Sequence, residues 1–314
     1  MTKNLRIAFF GTPDFAVASL KKIVENDWNV VAVITAPDKP SGRGQQLSIS
    51  DVKKYALEKN LTIYQPEKMK SPDFVELYRS LEIDLAVVVA FRMMPEVLWS
   101  APKIGTINLH GSLLPNYRGA APINWAIING EQETGVTTFF INHEIDKGDI
   151  LFQSKCKIEK SDDFGSLYGK LKEIGADLLQ ETLEKIEEGN YHSVKQDFKP
   201  TDKSAPKIDK EILEIKDFHS SEAIYNLVRG LIPVYKPFFM HKDKKYIVKN
   251  GSFSIEATDE KPGEIITDNS SFLKIACNNG YYWISEIQAE GKKPMDIRSF
   301  FNGNQFKNCI INIE

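Results

Sequence analysis

Through its first 190 residues the chain alternates two hydrophobic periods. Short apolar runs at 6–10, 30–34, 61–64 and 84–90 read as strands, and segments of helical spacing at 12–26, 50–59 and 72–80 lie between them. The run 84–90 is almost continuously apolar, as in a strand covered on both faces, so it should be central. A strand at 104–110, a helix at 121–129, strands at 136–141 and 149–158, and a long amphipathic helix at 164–188 complete the pattern. Such alternation predicts an α/β domain with a mainly parallel sheet. From 189 the pattern gives way to a polar, lysine-bearing connector. After it come a short amphipathic helix at 220–229 and strands at 245–248, 252–257, 263–266, 272–276 and 281–288. Short strands parted by turn residues predict a small β-barrel. We therefore expect a first domain over 1–189, a linker over 190–206 and a second domain over 207–314.

Composition leaves this picture unchanged: 314 residues, 42% hydrophobic and 26% charged, are those of an ordinary globular protein. The three cysteines, Cys156, Cys277 and Cys309, have no ligand or redox spacing, so neither a disulfide framework nor a zinc site is expected. The apolar run at 85–91 is too short to span a bilayer, and Gly11-Thr12-Pro13 interrupts the only stretch that could begin a signal peptide. A cytoplasmic location without membrane partners is the expectation. Net charge is −3, yet Lys195, Lys199, Lys203, Lys207 and Lys210 crowd the connector, and Lys242, Lys244, Lys245 and Lys249 crowd another segment. On charge alone these are solvated faces.

Candidate chemistry gathers in one run, Asn108-Leu109-His110-Gly111-Ser112-Leu113-Leu114-Pro115, continuing to Pro122. Residues i and i+2 of a strand share a face, so Asn108 and His110 project together. An amide donor beside an imidazole suits a reaction that passes through an oxyanion. A lone histidine at a strand end is more often a structural hydrogen-bonder; the Asn-x-His pair and the proline-ended loop shift that balance. In open α/β sheets the ligand crevice lies at the carboxyl ends of the strands, where this run falls. An imidazole that moves protons needs its other nitrogen held, and a carboxylate from another loop is the usual partner. Asp146, Asp149 and Glu144 are the candidates, and sequence proximity alone does not choose among them. Asp149 could equally cap the turn before the next strand. The segment Gly11-Thr12-Pro13-Asp14-Phe15 is not a GxGxxG phosphate cradle, so no nicotinamide cofactor is implied.

The run NLHGSLLPNYRGAAP resembles the signature of the folate-dependent formyltransferases, and SLLPxYRGAAP is similar in particular to the branch that acts on methionyl-tRNA. Further marks occur in order: GTPDFA at 11–16, PDKPSGRG at 37–44, ETGVT at 133–137, IDKGDIL at 145–151 and QAEGKKPM at 288–295. The resemblance implies a Rossmann-like formyltransferase domain followed by an OB-like β-barrel that binds tRNA. It implies transfer of the formyl group of 10-formyltetrahydrofolate to the α-amino group of initiator methionyl-tRNA, by direct amine attack, without a metal and by a monomer. Asn108, His110 and Asp146 would be catalytic. Ser112, Leu113, Leu114 and Pro115 would wall the folate's reactive end, and Phe91, Arg92 and Met93, with Met94, would line the pterin pocket. Residues 91–94 depart from the commoner family pattern, which has Tyr-Gly and one more residue before the proline; Met and Phe at a strand end serve equally as core. Arg43 and Lys207 match basic positions that contact tRNA, while Gln45 and Gln46 are uncharged where basic residues often occur. Three alternatives remain: a glycinamide ribonucleotide formyltransferase, which normally lacks the barrel; a sugar-amine N-formyltransferase, the runner-up; and a non-catalytic tRNA-binding module.

Overall fold

The computed structural model describes residues 4–41, 46–306 and 309–311. The chain divides into two compact units, one of Met1–Gly119, Glu133–Lys157 and Tyr168–Ser204, the other of Ala120–Gln132, Ile158–Leu167 and Ala205–Glu314. The elements up to the connector are β1 (Ile7–Gly11), α1 (Asp14–Glu25), β2 (Val30–Ile34), β3 (Lys39–Ser41), β4 (Gln46–Ser48), α2 (Asp51–Glu58), β5 (Ile63–Tyr64) and α3 (Pro72–Ser80). They continue with β6 (Leu85–Val89), α4 (Glu96–Trp99), β7 (Gly105–His110), α5 (Pro122–Ile128), β8 (Glu133–Phe140), β9 (Ile150–Lys157) and α6 (Phe164–Glu187).

Seven of these strands form one sheet in the order β5-β2-β1-β6-β7-β8-β9. Its first five strands run parallel, and β8 alone is reversed, pairing antiparallel with both β7 and β9, the mainly parallel sheet that the alternation predicts. Every residue of β6 is buried and the strand lies at the centre, as its continuous apolar run demands. Chain order reverses between β1 and β6, so a crevice opens beyond their carboxyl ends. One face of the sheet is covered by a core of Ala8, Phe10, Ile34, Val88, Phe74, Tyr78 and Leu98. Each large side chain there contributes about 1.5–3 kcal/mol by leaving water. One feature differs from expectation. The Pro/Gly-rich stretch after β2 holds a short antiparallel pair, β3 with β4, which has no periodic signal. Pro13 is the N-cap of α1 and supplies no side-chain cap.

In the second unit α7 (Ser221–Leu231) precedes β10 (Phe238–His241), β11 (Lys244–Ile255), β12 (Glu264–Thr267), β13 (Leu273–Cys277), β14 (Gly280–Ala289), β15 (Met295–Asp296), α8 (Ile297–Phe301) and β16 (Cys309–Ile310). The strands form an antiparallel sheet in the order β10-β11-β14-β13-β12-β16, with β15 on β14, curled as a half-barrel. Its core joins Val248, Ile265, Ile275, Tyr282, Ile287 and Phe300 to Ile224 and Val228 of α7. Ser220 caps α7 by accepting from the Ala223 N–H at 3.3 Å. The two strands expected at 245–248 and 252–257 are one strand, β11. Asn-Gly is the commonest hairpin signal, but Asn250-Gly251 is a bulge in register with β14. A Cβ on Gly251 would lie 2.4 Å from the Tyr282 hydroxyl, so only glycine admits that close crossing. The segment QAEGKKPM is the turn joining β14 to β15, closed by the Gln288 amide on the Lys292 carbonyl at 2.7 Å. Also within this unit, the Asn124 amide of α5 donates to the Gly230 carbonyl at 2.7 Å. Buried Arg229 donates to the Asp162 carbonyl and the Asn226 side chain, both at 2.8 Å. No helix among the described residues is long and apolar enough to cross a membrane.

Candidate active site

β7 carries Asn108 and His110 on one face at its carboxyl end, while Ile107 and Leu109 anchor the other face in the core. Asn108 is half-buried, and its amide has no hydrogen-bond partner among the described residues. His110 is 7% exposed, and its Nε2 lies 2.8 Å from the Tyr117 carbonyl oxygen. A carbonyl only accepts, so Nε2 carries a proton and Nδ1 is the nitrogen left for chemistry. Facing Nδ1 at 3.9 Å is Oδ2 of Asp146. That distance is beyond a hydrogen bond but within strong Coulombic reach for two largely buried groups. Asp146 stands at φ 54, in the left-handed region, and the same Oδ2 accepts the Gly119 N–H at 2.9 Å. Of its rivals, Glu144 is exposed and paired with Lys147. No ion pair joins Glu144 or Asp149 to His110 among the described residues. The acceptor that holds the imidazole is thus a backbone carbonyl, a group without a residue signature, and the carboxylate faces the other nitrogen.

The loop after β7 is fastened from beneath. Ser112 is fully buried and donates to the Asn116 carbonyl at 2.7 Å. Thr137 on β8 donates to the Ser112 carbonyl at 2.6 Å and accepts the Leu114 N–H at 3.1 Å. Gln153 on β9 donates at 2.9 Å both to the Thr137 hydroxyl and to the Leu114 carbonyl. Leu113 lies against Gly135, where a Cβ would stand 2.5 Å from its methyl carbon and 2.2 Å from the Ser154 carbonyl. Ser112 and Leu114 therefore face inward, whereas Leu113 and Pro115 keep partly open surface. The segment ETGVT, noted above only as a mark of resemblance, supplies the glycine and threonine that seat this loop.

Residues 91–94 divide one by one between core and surface. Met94 is buried in the core, and Phe91 is half-buried edge-on to Phe10 with ring centroids 5.5 Å apart. Arg92 is exposed, donates to the Pro66 carbonyl at 2.5 Å, and lies 5.8 Å from the Phe91 ring. Met93 is 76% exposed. Lys207, in the second unit, is exposed between buried Ala205 and Ile208. Arg43 lies outside the described residues.

Sequence reading missed the connector. Val194 exchanges both backbone hydrogen bonds with Ile150, each at 2.8 Å. The Gln196 amide donates to the carbonyls of Asp146 and Gly148 at 2.9 and 2.8 Å. The Phe198 ring lies 4.5 Å from the Arg118 guanidinium and 5.4 Å from the Lys147 ammonium. The Tyr117 N–H donates to the Lys203 carbonyl at 2.6 Å. A run of lysines suggested only solvent there.

A parallel sheet with an amide and an imidazole at one strand end, followed by a curled antiparallel sheet, fits one class of enzyme. Residues 5–183 match the family described as Formyl transferase, and residues 207–305 match Formyl transferase, C-terminal domain. The methionyl-tRNA formyltransferase of Flavobacterium johnsoniae is 44% identical over 308 residues, 97% of this chain and 98% of its own. That of Bacteroides fragilis is 42% identical over 311 residues, 96% of this chain and 95% of its own. The chain belongs to the methionyl-tRNA formyltransferase family, a folate-dependent group of enzymes. A non-catalytic module is therefore set aside. Among solved structures, WlaRD, a sugar 3N-formyl transferase crystallised in the presence of dTDP and 5-N-formyl-THF, is similar with a TM-score of 0.66. The match covers 92% of this chain and 99% of that one at 21% identity, a likeness of fold alone.

Proposed function

We propose that the protein transfers the formyl group of 10-formyltetrahydrofolate to the α-amino group of methionine on initiator methionyl-tRNA. The observation that carries the reading is the placement of Asn108 and His110 on one face of β7 with Asp146 3.9 Å from Nδ1. The substrate assignment draws on the relatives. The neutral amine attacks the formyl carbon, forming the new N–C bond and a tetrahedral centre with a negative oxygen. Asn108, whose amide has no hydrogen-bond partner among the described residues, donates to that oxygen, and His110 joins it through Nδ1 once that nitrogen has taken the proton of the attacking amine. As the bond from the formyl carbon to N10 breaks, the proton of the attacking amine passes by Nδ1 of His110 to N10. With Nε2 held by Tyr117, the ring cannot turn. Asp146, near but not hydrogen-bonded, stabilises the cationic ring without locking its proton.

Leu113 and Pro115 supply the apolar, partly open wall for the folate's reactive end, with Ser112 and Leu114 shaping it from within. Phe91, Arg92 and Met93 are the pterin side of the pocket. Residues 1–189 carry the chemistry, 190–206 connect, and 207–314 hold tRNA, with Arg43 and Lys207 on its phosphates and acceptor end. The test is formyl transfer from 10-formyltetrahydrofolate to methionyl-tRNA, glycinamide ribonucleotide and an amino-sugar nucleotide in parallel. Only methionyl-tRNA should turn over. Asn108→Ala should cut kcat by ~10²–10³ with folate affinity kept. Near-normal turnover in both Asn108→Ala and His110→Ala would refute the site.

A further inference from the structure

We propose that Gln196 is a positioning residue for formyl transfer: from the connector, its amide holds the Asp146–Gly148 turn and so aims the Asp146 carboxylate at His110. The inference rests on the roles given above to Asp146 and His110. One nitrogen, Nε2 of Gln196, spends its two hydrogens on the carbonyls of Asp146 and Gly148, at 2.9 and 2.8 Å, at either end of that turn. Asp146 stands at φ 54, a conformation that a residue with a side chain holds only when its surroundings enforce it. A neutral amide suits this task because it offers two donors and adds no charge beside the carboxylate. Its own Oε1 is buried and has no hydrogen-bond partner among the described residues. The orientation of the amide is therefore set by the two carbonyls it serves.

The connector is itself fastened on both sides of this contact. Val194 pairs with Ile150 before it. After it, Phe198 sits beside Arg118 and Lys147, the Tyr117 N–H donates to the Lys203 carbonyl, and the Lys203 N–H donates to the Asn116 side chain at 3.0 Å. One length of chain thus touches both groups at the imidazole: Tyr117, whose carbonyl holds Nε2, and Asp146, which faces Nδ1. A small misplacement of a catalytic group can cost orders of magnitude in rate, so a tether on Asp146 bears on kcat rather than on substrate affinity.

The experiment uses the full chain, with steady-state formyl transfer from 10-formyltetrahydrofolate to methionyl-tRNA. Four variants are compared: Gln196→Met, of like length without donors; Gln196→Leu, shorter and also neutral without donors; Asp146→Asn; and Gln196→Met combined with Asp146→Asn. Circular dichroism and a cooperative melt verify folding, and Gln196→Leu carries the test if Gln196→Met folds poorly. We expect the Gln196 variants to lower kcat about tenfold, with both KM values within about twofold. Added to Asp146→Asn, Gln196→Met should slow the reaction less than about twofold further, because the tethered group is already disabled. The inference is overturned if Asp146→Asn is slow while the Gln196 variants keep normal kcat. Equal slowing by Gln196→Met in both backgrounds, or a rise in the tRNA KM alone, also overturns it. A normal rate for Asp146→Asn instead removes the reading of the site on which the inference stands.

Discussion

Replacing Thr137 by valine tests whether the loop that carries the site is held by a single hydroxyl. Thr137 is fully buried on β8, opposite His110, and its Oγ1 takes part in three hydrogen bonds: to the Ser112 carbonyl, from the Leu114 N–H and from the Gln153 amide. Valine keeps the volume and removes the oxygen. Gln153 retains its bond to the Leu114 carbonyl, so its loss is small. The Leu114 N–H and the Ser112 carbonyl lose this partner, and a buried backbone group left unpaired costs about 1–3 kcal/mol. Two such groups predict a loss of about 2–6 kcal/mol, a large share of the 5–15 kcal/mol that roughly stabilises a domain. Activity should fall as well, because the loosened loop includes Tyr117, whose carbonyl holds His110. Urea unfolding gives the difference from the midpoints at constant slope. Amide exchange on β7 and β8 reports the first unit by itself. Thr137→Ser, which keeps the hydroxyl, should lose much less. A loss below roughly 0.5 kcal/mol for valine, or serine as damaging as valine, would show that the hydroxyl does not hold the loop.

Gly251→Ala should destabilise the second unit by about 1–3 kcal/mol in thermal melts, since its Cβ would stand 2.4 Å from the buried Tyr282 hydroxyl and 2.5 Å from the Trp283 carbonyl. Burial, with Lys242 adding to it, holds the His241 imidazole below the ordinary histidine value. Below pH ~6.5 the unfolded chain binds a proton that the folded one refuses, so stability falls as pH drops through that range. Urea midpoints compared above and below that pH should diverge for the wild type and converge for His241→Phe. Arg43→Ala and Lys207→Ala should each raise the tRNA KM and leave the folate KM unchanged. Each lost phosphate contact should also reduce the salt dependence of tRNA binding by about one unit of log–log slope; kinetics identical to wild type would remove those residues from the interface.

Local patterns determined much of this protein. Period and capping are properties of neighbouring residues, so β2 over Val30–Ile34 and α3 over Pro72–Ser80 were legible in the sequence, and the apolar run of β6 announced its central place. Asn108 and His110 were legible for the same reason, since two-residue spacing on a strand needs no knowledge of the rest of the chain. Pairing decided what the sequence left open. Asn250-Gly251 reads locally as a turn, and only the long register of β11 on β14 makes it a bulge. The strands β10 and β16 span four and two residues, so their identity comes from the neighbours they meet. Around His110 the same holds: proximity in sequence could not choose among Glu144, Asp146 and Asp149, and folding placed the Asp146 carboxylate alone of these within ion-pair distance. The groups that set the geometry there are a carbonyl, a threonine on an adjacent strand and a glutamine from the connector. The carbonyl and the glutamine have no signature, and the threonine stood out only within the ETGVT mark, because a hydrogen bond is specified by where two backbones meet and not by the residue type along either.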